Sequence, residues 1–130
     1  MIVVDASAAL EFLLKTPSGD AVAKRVFEAG QTLHAPHLLD LEATQVLRRL
    51  SRTGEIAVER CRAALDVLSD IRMLRYPHYP LLPRIWQLRH NLSAYDAAYV
   101  ALAELIEAPL LTHDGKLASA SGHSATIELV

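Results

Sequence analysis

Short apolar runs alternate along the chain with longer stretches in which apolar residues recur every three or four positions. The runs are rich in aliphatic and β-branched residues and are bounded by Asp, Gly or Pro, a pattern typical of buried strands. The clearest run comes first and ends at Asp5. The pattern predicts five strands, at 1–4, 32–35, 73–76, 109–113 and 125–130.

The stretches between these runs have helical periodicity and end at Gly, Pro or Asn. They predict helices at 7–15, 20–29, 38–52, 55–71, 82–90, 94–107 and 115–120. Because helices separate the strands, the strands are expected to pair in parallel through right-handed crossovers. We therefore expect an α/β fold, a three-layer α/β/α sandwich around a central, mostly parallel sheet of about five strands.

Length and composition restrict the class of protein. With 130 residues, 52% of them hydrophobic and 22% charged, we expect a single domain over residues 1–130. No apolar run reaches the roughly 18 residues of a membrane span, and the N-terminus does not resemble a signal peptide, so we expect a cytoplasmic protein. The single cysteine, Cys61, lies among apolar residues at helical spacing and is interpreted as a packed thiol.

The net charge of −2 argues against a protein that holds nucleic acid by phosphate neutralisation alone. Proteins of that kind are usually basic. A polyanionic partner would have to be bound by a local basic patch or through a metal ion.

Four acidic residues are predicted to lie at the edge of the sheet where the parallel strands end. Asp5 ends the first strand and Asp114 the fourth, Asp96 lies in the first turn of the alanine-rich helix, and Glu42 lies in the second turn after strand two. In parallel α/β sheets the strand ends and the first turns of the following helices share one edge, where ligands bind. We therefore expect these side chains to converge.

Three of these acids also have a purely structural interpretation. Asp5 would cap the helix that follows it, and Asp96 would belong to a capping box that begins at Ser93. Asp114 precedes a glycine and would serve as a turn residue. Taken together, these interpretations do not explain why all the acids map to one edge of the sheet.

Glu42 is different, because it falls inside the apolar sector of its helix. A buried carboxylate without a partner costs several kcal/mol, by order of magnitude, so it needs a cation or a second role. Arg49, two turns further along the same flank, is a candidate for that cation.

Carboxylates gathered in one place repel one another unless a cation compensates them. The donors here are all oxygen, which favours Mg²⁺ or Mn²⁺ over zinc. Such a cation polarises phosphoryl oxygens and activates water, so the pattern predicts phosphodiester hydrolysis. Ser7 and Thr112 are positioned to support the ligands by hydrogen bonds, although ordinary helix-start and strand roles remain open for both.

Other polar and aromatic residues are interpreted as structural. Asp40 projects away from Glu42 and suits the first turn of a helix. His34 and His37 have no Cys or third His nearby, so they are assigned to strand and loop roles. Three aromatic residues are expected in the core or in dimer contacts: Tyr95, Tyr99 and Trp86.

Four blocks of sequence carry a resemblance to a known family. Together they resemble the PIN domain, specifically the VapC toxins of bacterial toxin–antitoxin pairs, over essentially the whole chain. The blocks are Val3-Val4-Asp5-Ala6-Ser7-Ala8, Pro36-His-Leu-Leu-Asp-Leu-Glu42 with Val46-Leu47-Arg48-Arg49, Leu92-Ser-Ala-Tyr-Asp96-Ala-Ala-Tyr-Val-Ala-Leu-Ala, and Leu110-Leu-Thr112-His-Asp114-Gly-Lys-Leu117.

This resemblance implies a Mg²⁺-dependent endoribonuclease that cleaves single-stranded regions of tRNA, rRNA or mRNA and leaves a 5′-phosphate and a 3′-hydroxyl. It implies inhibition by a cognate VapB-like antitoxin, whose C-terminal segment often offers an arginine to the acidic pocket, and it implies a homodimer. The acidic quartet maps to Asp5, Glu42, Asp96 and Asp114, with Asp5 and Asp96 as the firmest metal ligands.

Basic residues near these blocks are candidate RNA contacts, with a solvated helix face as the alternative: Arg48, Arg49, Arg52 and Lys116. A haloacid-dehalogenase phosphatase would need a second aspartate where Ser7 stands, and a response-regulator receiver would need an acidic pair at the first strand end. The non-enzyme alternative is a catalytically weak PIN domain that acts as an antitoxin-binding module.

Overall fold

The structure, a computed structural model, describes residues 1–130. All five predicted strands are present and form one sheet, and every pairing is parallel. The α/β architecture expected from the sequence is thus confirmed. The strands are β1 (Ile2–Val4), β2 (Leu33–Pro36), β3 (Met73–Tyr76), β4 (Leu110–Thr112) and β5 (Ile127–Leu129), in the spatial order β3-β2-β1-β4-β5.

Seven α-helices and one 3₁₀ turn connect the strands. The longest, α3, has 16 residues, and no helix combines the length and apolarity that crossing a bilayer requires. The helices are α1 (Ala6–Leu13), α2 (Gly19–Val26), α3 (Leu38–Thr53), α4 (Val58–Asp70), α5 (Leu82–Gln87), α6 (Ala94–Ile106) and α7 (Gly115–Ala118), with the 3₁₀ turn at Tyr79–Leu81.

The direction of the crossovers divides the helices into two layers. The chain moves outward from β1 to β3 on one side, then returns across the sheet to β4 and β5. Right-handed crossovers therefore place α1 to α4 on one face and α5 to α7 on the other. The packing agrees, since α1 contacts α2, α3 and α4, whereas α5 packs against α6.

The strand order reverses between β1 and β4, which creates a crevice at their carboxyl ends. Val3 pairs with Leu110 and Val4 with Leu111, and the Asp5 N–H donates to the Leu111 carbonyl at 3.1 Å. This register brings the end of β1 level with Thr112 at the end of β4. The crevice is where the predicted acids would have to meet.

The core lies between the sheet and the two helical layers. Every residue of β1 is fully buried, and α6 contains seven consecutive buried residues, 97–103, of which four are alanine. Small side chains let α6 approach the sheet closely, as its sequence predicts. Each large aliphatic side chain in this core contributes roughly 1.5–3 kcal/mol of burial free energy.

Several predicted helix ends are wrong by a few residues. The helix expected from residue 55 begins at Val58, because Gly54 ends α3 at a φ of 76° and Ala57 is extended. The helix expected to reach residue 90 ends at Gln87, where the chain tightens into turns. The preceding 3₁₀ turn, with a proline in its first turn, was not predicted.

Candidate metal centre

Asp5 has two roles at the start of α1. Its Oδ1 accepts from the Ala8 N–H at 2.9 Å, so it caps the helix, and it also accepts from Ser7 Oγ at 2.7 Å. Its Oδ2 accepts from Thr112 Oγ1 at 2.5 Å. The capping interpretation therefore holds, yet a cap alone does not need a carboxylate that is 5% exposed and fixed on both oxygens.

Ser7 and Thr112 join the loops after β1 and β4 into one network. Thr112 is fully buried, lies 3.2 Å from the Ser7 hydroxyl and accepts from the Asp114 N–H at 3.0 Å. Ser7 Oγ in turn accepts from the His113 N–H at 2.9 Å. Both hydroxyls thus contact Asp5 and hold the two strand ends in a fixed relation.

Burial raises the pKa of the Asp5 carboxyl above its ordinary value. The hydrogen bonds from Thr112, Ala8 and Ser7 lower that pKa, and the nearby charge of Asp114 raises it. The net upward direction means that the charged form of Asp5 lacks compensation from a cation of the protein.

Asp96 lies in the first turn of α6, where Ser93 caps the helix by accepting from the Asp96 N–H at 3.2 Å. Burial raises the pKa of Asp96, the charges of Asp114 and Asp5 raise it further, and Ser93 lowers it. Asp96 therefore lies within electrostatic reach of the acids that follow β1 and β4.

Glu42 is held by a tyrosine and not by an arginine. Its Oε1 accepts from Tyr99 Oη at 2.6 Å, and the suggestion that Arg49 compensates it is wrong. Arg49 is exposed and forms no ion pair. Glu42 and Arg49 lie seven positions apart, roughly 10 Å along the helix axis, and no ion pair joins them.

The pKa of Glu42 is raised by burial and by the charges of Asp96 and Asp5, and it is lowered by the Tyr99 hydroxyl. Asp114 is partly buried, caps α7 by accepting from the Lys116 N–H at 2.9 Å, and so also fills the predicted turn role. The electrostatic couplings connect all four predicted acids across the crevice.

As they stand, no three His, Cys, Asp or Glu side chains are arranged to enclose a metal ion. The donor set nevertheless suits Mg²⁺ or Mn²⁺, which prefer carboxylate oxygens. Mg²⁺ in particular keeps several waters and is usually bound through one or two carboxylates together with substrate phosphates. The uncompensated charge of Asp5, Asp96 and Glu42 fits such an open site.

The comparison with known proteins decides the family. A sequence model of the PIN domain matches residues 2–122 of the chain. This chain belongs to the PIN-domain family.

Relatives of this PIN domain cover nearly its whole length. Ribonuclease VapC1 of Mycobacterium tuberculosis is 46% identical over 129 residues, 98% of this chain and 96% of that relative. Ribonuclease VapC12 of the same species is 42% identical over 130 residues, 100% of this chain and 99% of that relative. Among solved structures, the chain is similar to VapBC2 from Rickettsia felis bound to a DNA fragment from their promoter. The TM-score is 0.73 at 14% sequence identity, and the match covers 99% of this chain and 98% of that chain, so the two share a fold.

The four basic residues proposed as RNA contacts have no acidic partner, and three of them lie in the second half of α3. The side chains of Arg48, Arg49, Arg52 and Lys116 are exposed, and none forms an ion pair. They are free to meet a phosphate backbone, and their role as RNA contacts stays a prediction.

Asp40, His34 and Cys61, which are interpreted as structural from the sequence, lie outside the network of the crevice acids. Asp40 lies in the first turn of α3 as expected, and it also pairs with Arg75 at 2.7 Å, a contact that its sequence position does not predict. His34 is buried between Thr32 and the Tyr76 hydroxyl, at 2.8 and 2.7 Å. Cys61 is a buried free thiol, as predicted.

Tyr99 is the residue near the site that sequence reasoning missed. It is buried in the core, as expected, but its hydroxyl contacts Glu42. The available signal was its spacing, since a residue three positions after Asp96 lies on the same side of the helix. Tyr95 and Trp86 are 62% and 67% exposed, so they are not core residues, and their place in dimer contacts stays a prediction with base stacking as the alternative.

Proposed function

We propose that this PIN domain is the toxin of a VapBC-type toxin–antitoxin system, an endoribonuclease that hydrolyses phosphodiester bonds in single-stranded regions of tRNA, rRNA or mRNA. The observation that carries the proposal is the electrostatic coupling of Asp5, Glu42, Asp96 and Asp114 at one crevice, without a compensating cation from the chain. Membership of the PIN family and the close relatives named ribonucleases support it.

The site would hold a divalent cation, which is typical of the family; we propose Mg²⁺, with Mn²⁺ as a substitute. Asp5 and Asp96 would be the firmest ligands, and Glu42 and Asp114 would complete the site or orient the attacking water. When bound, the cation supplies Lewis acidity toward a phosphoryl oxygen and lowers the pKa of bound water.

The side chains of the protein prepare this site. Ser7 and the Ala8 N–H fix Oδ1 of Asp5 and Thr112 fixes Oδ2, so Oδ2, which accepts one hydrogen bond, keeps a lone pair for a cation. The rigid carboxylate therefore loses little conformational entropy when it binds. Exposed Arg49 and Lys116 would contact the RNA backbone, and the products would carry a 5′-phosphate and a 3′-hydroxyl.

A VapB-like antitoxin is the proposed protein partner. An arginine from such a partner would compensate the same carboxylates that otherwise need a metal ion. The fold that this chain shares with VapBC2 from Rickettsia felis supports this proposal. The protein would act in the cytoplasm, where its RNA substrates are.

We further propose a homodimer. Three large side chains of the short segment after β3 are exposed: Tyr79 (77%), Leu82 (55%) and Trp86 (67%). Exposed apolar surface is a common feature of interaction sites. Replacing Trp86 with Glu is expected to convert the dimer to a monomer in sedimentation velocity, and a monomeric wild-type protein would contradict the proposal.

Cleavage of a single-stranded RNA in Mg²⁺, compared with EDTA, tests the enzymatic proposal. Asp5→Asn and Asp96→Asn are expected to abolish Mg²⁺-dependent cleavage while the circular dichroism spectrum is unchanged. Asp66→Asn is the matched control, because Asp66 is exposed on α4 and its only ion pair, with Arg62, is 3.8 Å long. Equal cleavage by all variants, or none by the wild type, would favour the antitoxin-binding module instead.

A further inference from the structure

Glu42 and Tyr99 connect the two helical layers of the protein. α3 and α6 lie on opposite faces of the sheet, and the hydrogen bond from Tyr99 Oη to Glu42 Oε1 spans 57 positions in the sequence at 2.6 Å. No other side-chain hydrogen bond in the structure joins a helix of one layer directly to a helix of the other. The contact thus fixes the position of Glu42 relative to Asp96.

Tyr99 is well suited to act as a fixed point. It is 1% exposed and is the largest fully buried side chain in the protein. Its ring is packed in the middle of α6, so the hydroxyl has little freedom to follow a moving partner. It also lies one helical turn after Asp96, which directs both residues to the same side of the helix.

The Glu42 side chain has several rotatable bonds, and its contact with Tyr99 restrains them. Its Oε1 accepts from Tyr99, whereas Oε2 accepts no hydrogen bond from the protein. A tyrosine hydroxyl is a neutral donor, so it orients the carboxylate without cancelling its charge. An arginine in the same place would orient Glu42 as well, but it would also compensate the charge that a divalent cation needs.

We propose that Tyr99 is a positioning residue of the metal site: its hydroxyl holds Glu42 Oε1 and thereby presents Oε2 to a divalent cation beside Asp96. This inference rests on the proposed function, since it assumes that the crevice binds a cation. Partners that orient a metal ligand typically change metal affinity or activity by about 10- to 100-fold when they are removed.

Titration calorimetry with Mn²⁺ alone tests the inference without relying on activity. Tyr99→Phe removes one oxygen and keeps the ring, and it is expected to weaken Mn²⁺ binding by about tenfold. Tyr76→Phe is the matched control, since that hydroxyl donates to or accepts from buried His34 and contacts no carboxylate. Mn²⁺ affinity of this control is expected to equal that of the wild type.

Two further variants separate positioning from folding. In a Glu42→Gln background, Tyr99→Phe is expected to cause little additional loss of Mn²⁺ affinity, because the residue it positions no longer carries charge. If Tyr99→Phe does not fold, as judged by melting in EDTA, Glu42→Asp keeps the carboxylate but shortens the reach to Tyr99, and it is expected to weaken Mn²⁺ binding.

The outcomes distinguish the inference from the proposed function. Mn²⁺ affinity that is unchanged in Tyr99→Phe, or in Glu42→Asp where Tyr99→Phe does not fold, would overturn the positioning role while the metal site stands. Failure of the wild type to bind Mn²⁺ would overturn the proposed function itself.

Discussion

Two acids at the margin of the sheet, Glu104 and Glu128, are paired with arginines, whereas the acids of the crevice are not. At the margin, Glu104 on α6 receives a bidentate pair of hydrogen bonds from Arg84 at 2.8 and 2.9 Å. Glu128 on β5 receives a similar pair from Arg25 at 2.8 and 2.9 Å. In the crevice, Asp5, Glu42 and Asp96 form no ion pair with any side chain.

The pKa values of the margin acids and of the crevice acids are shifted in opposite directions. Arg84 lowers the pKa of Glu104 to about 2, with help from two hydrogen bonds of Ser124. Burial and neighbouring negative charge instead raise the pKa of the crevice acids. This contrast supports the proposal that the crevice acids bind a cation from outside the chain.

Among the substitutions that compare a crevice acid with a margin acid, the largest expected effect is on RNA cleavage. Asp96→Asn removes a crevice acid and is expected to reduce Mg²⁺-dependent cleavage by at least about 100-fold, since a lost ligand removes several kcal/mol of stabilisation of developing charge. Glu104→Gln changes an acid on the same helix and is expected to retain cleavage. Rate constants under single-turnover conditions measure both, and equal losses would remove the distinction between the two regions.

Glu104→Gln is expected to act on stability instead. It weakens the pair with Arg84 and the contacts with Ser124, and because Arg84 is 37% exposed we expect a loss of only about 1–2 kcal/mol in the free energy of unfolding. Urea denaturation at neutral pH measures it. A variant as stable as the wild type would show that this ion pair is not a structural anchor.

The two regions also predict opposite pH dependences. Raised pKa values in the crevice give stability that is fully present below the unfolded-state pKa of about 4 and is lost as pH rises through the folded-state values. The lowered pKa of Glu104 gives stability that is present above the unfolded-state value and is lost as pH falls toward about 2.

In EDTA, protonation of the crevice acids should therefore raise the free energy of unfolding as pH falls toward about 4, and protonation of Glu104 should lower it in stronger acid. Burial lowers the pKa of His34, so protonation of that residue acts against the rise. Saturating Mg²⁺ should raise the neutral-pH value and flatten this rise, because the cation binds only the folded state. Urea curves at several pH values measure both effects. An Asp96→Asn variant whose free energy of unfolding has the same pH dependence in EDTA as that of the wild type would contradict the crevice account.

The smallest expected effect is a gain in stability from Asp96→Asn in EDTA. The substitution relieves repulsion with Asp114 and Asp5 but loses a favourable charge at the N-terminus of α6, so we expect a net gain of only about 0.5 kcal/mol. Thermal melting beside Asp66→Asn measures it. A clear destabilisation would mean that the lost charge at the N-terminus of α6 outweighs the relieved repulsion.

The fold was predictable because its signals are local. Apolar runs identify β1 and β4, and the helix–strand alternation requires parallel pairing. Predicted helix ends were less accurate, since the end of α3 depends on the left-handed Gly54 and the start of α4 on an extended Ala57. The periodicity of hydrophobic residues carries little information about the backbone conformation of such single residues.

The location of the four acids at one edge of the sheet was also predictable, because position after a strand or near the start of a helix fixes the edge to which a side chain belongs, whereas their role as metal ligands stays a prediction. Their partners were not. Tyr99 meets Glu42 across 57 residues of sequence, and Arg75 meets Asp40 across 35. Periodicity assigns a residue to a face of a helix, but it does not say which side chain from another layer reaches that face.

A crystal structure of the protein grown with Mn²⁺ tests the central claim most directly. The account predicts an anomalous scattering peak in the crevice within bonding distance of carboxylate oxygens of both Asp5 and Asp96. A well-ordered crevice without such a peak at saturating Mn²⁺, or a peak bound elsewhere on the protein, would contradict it.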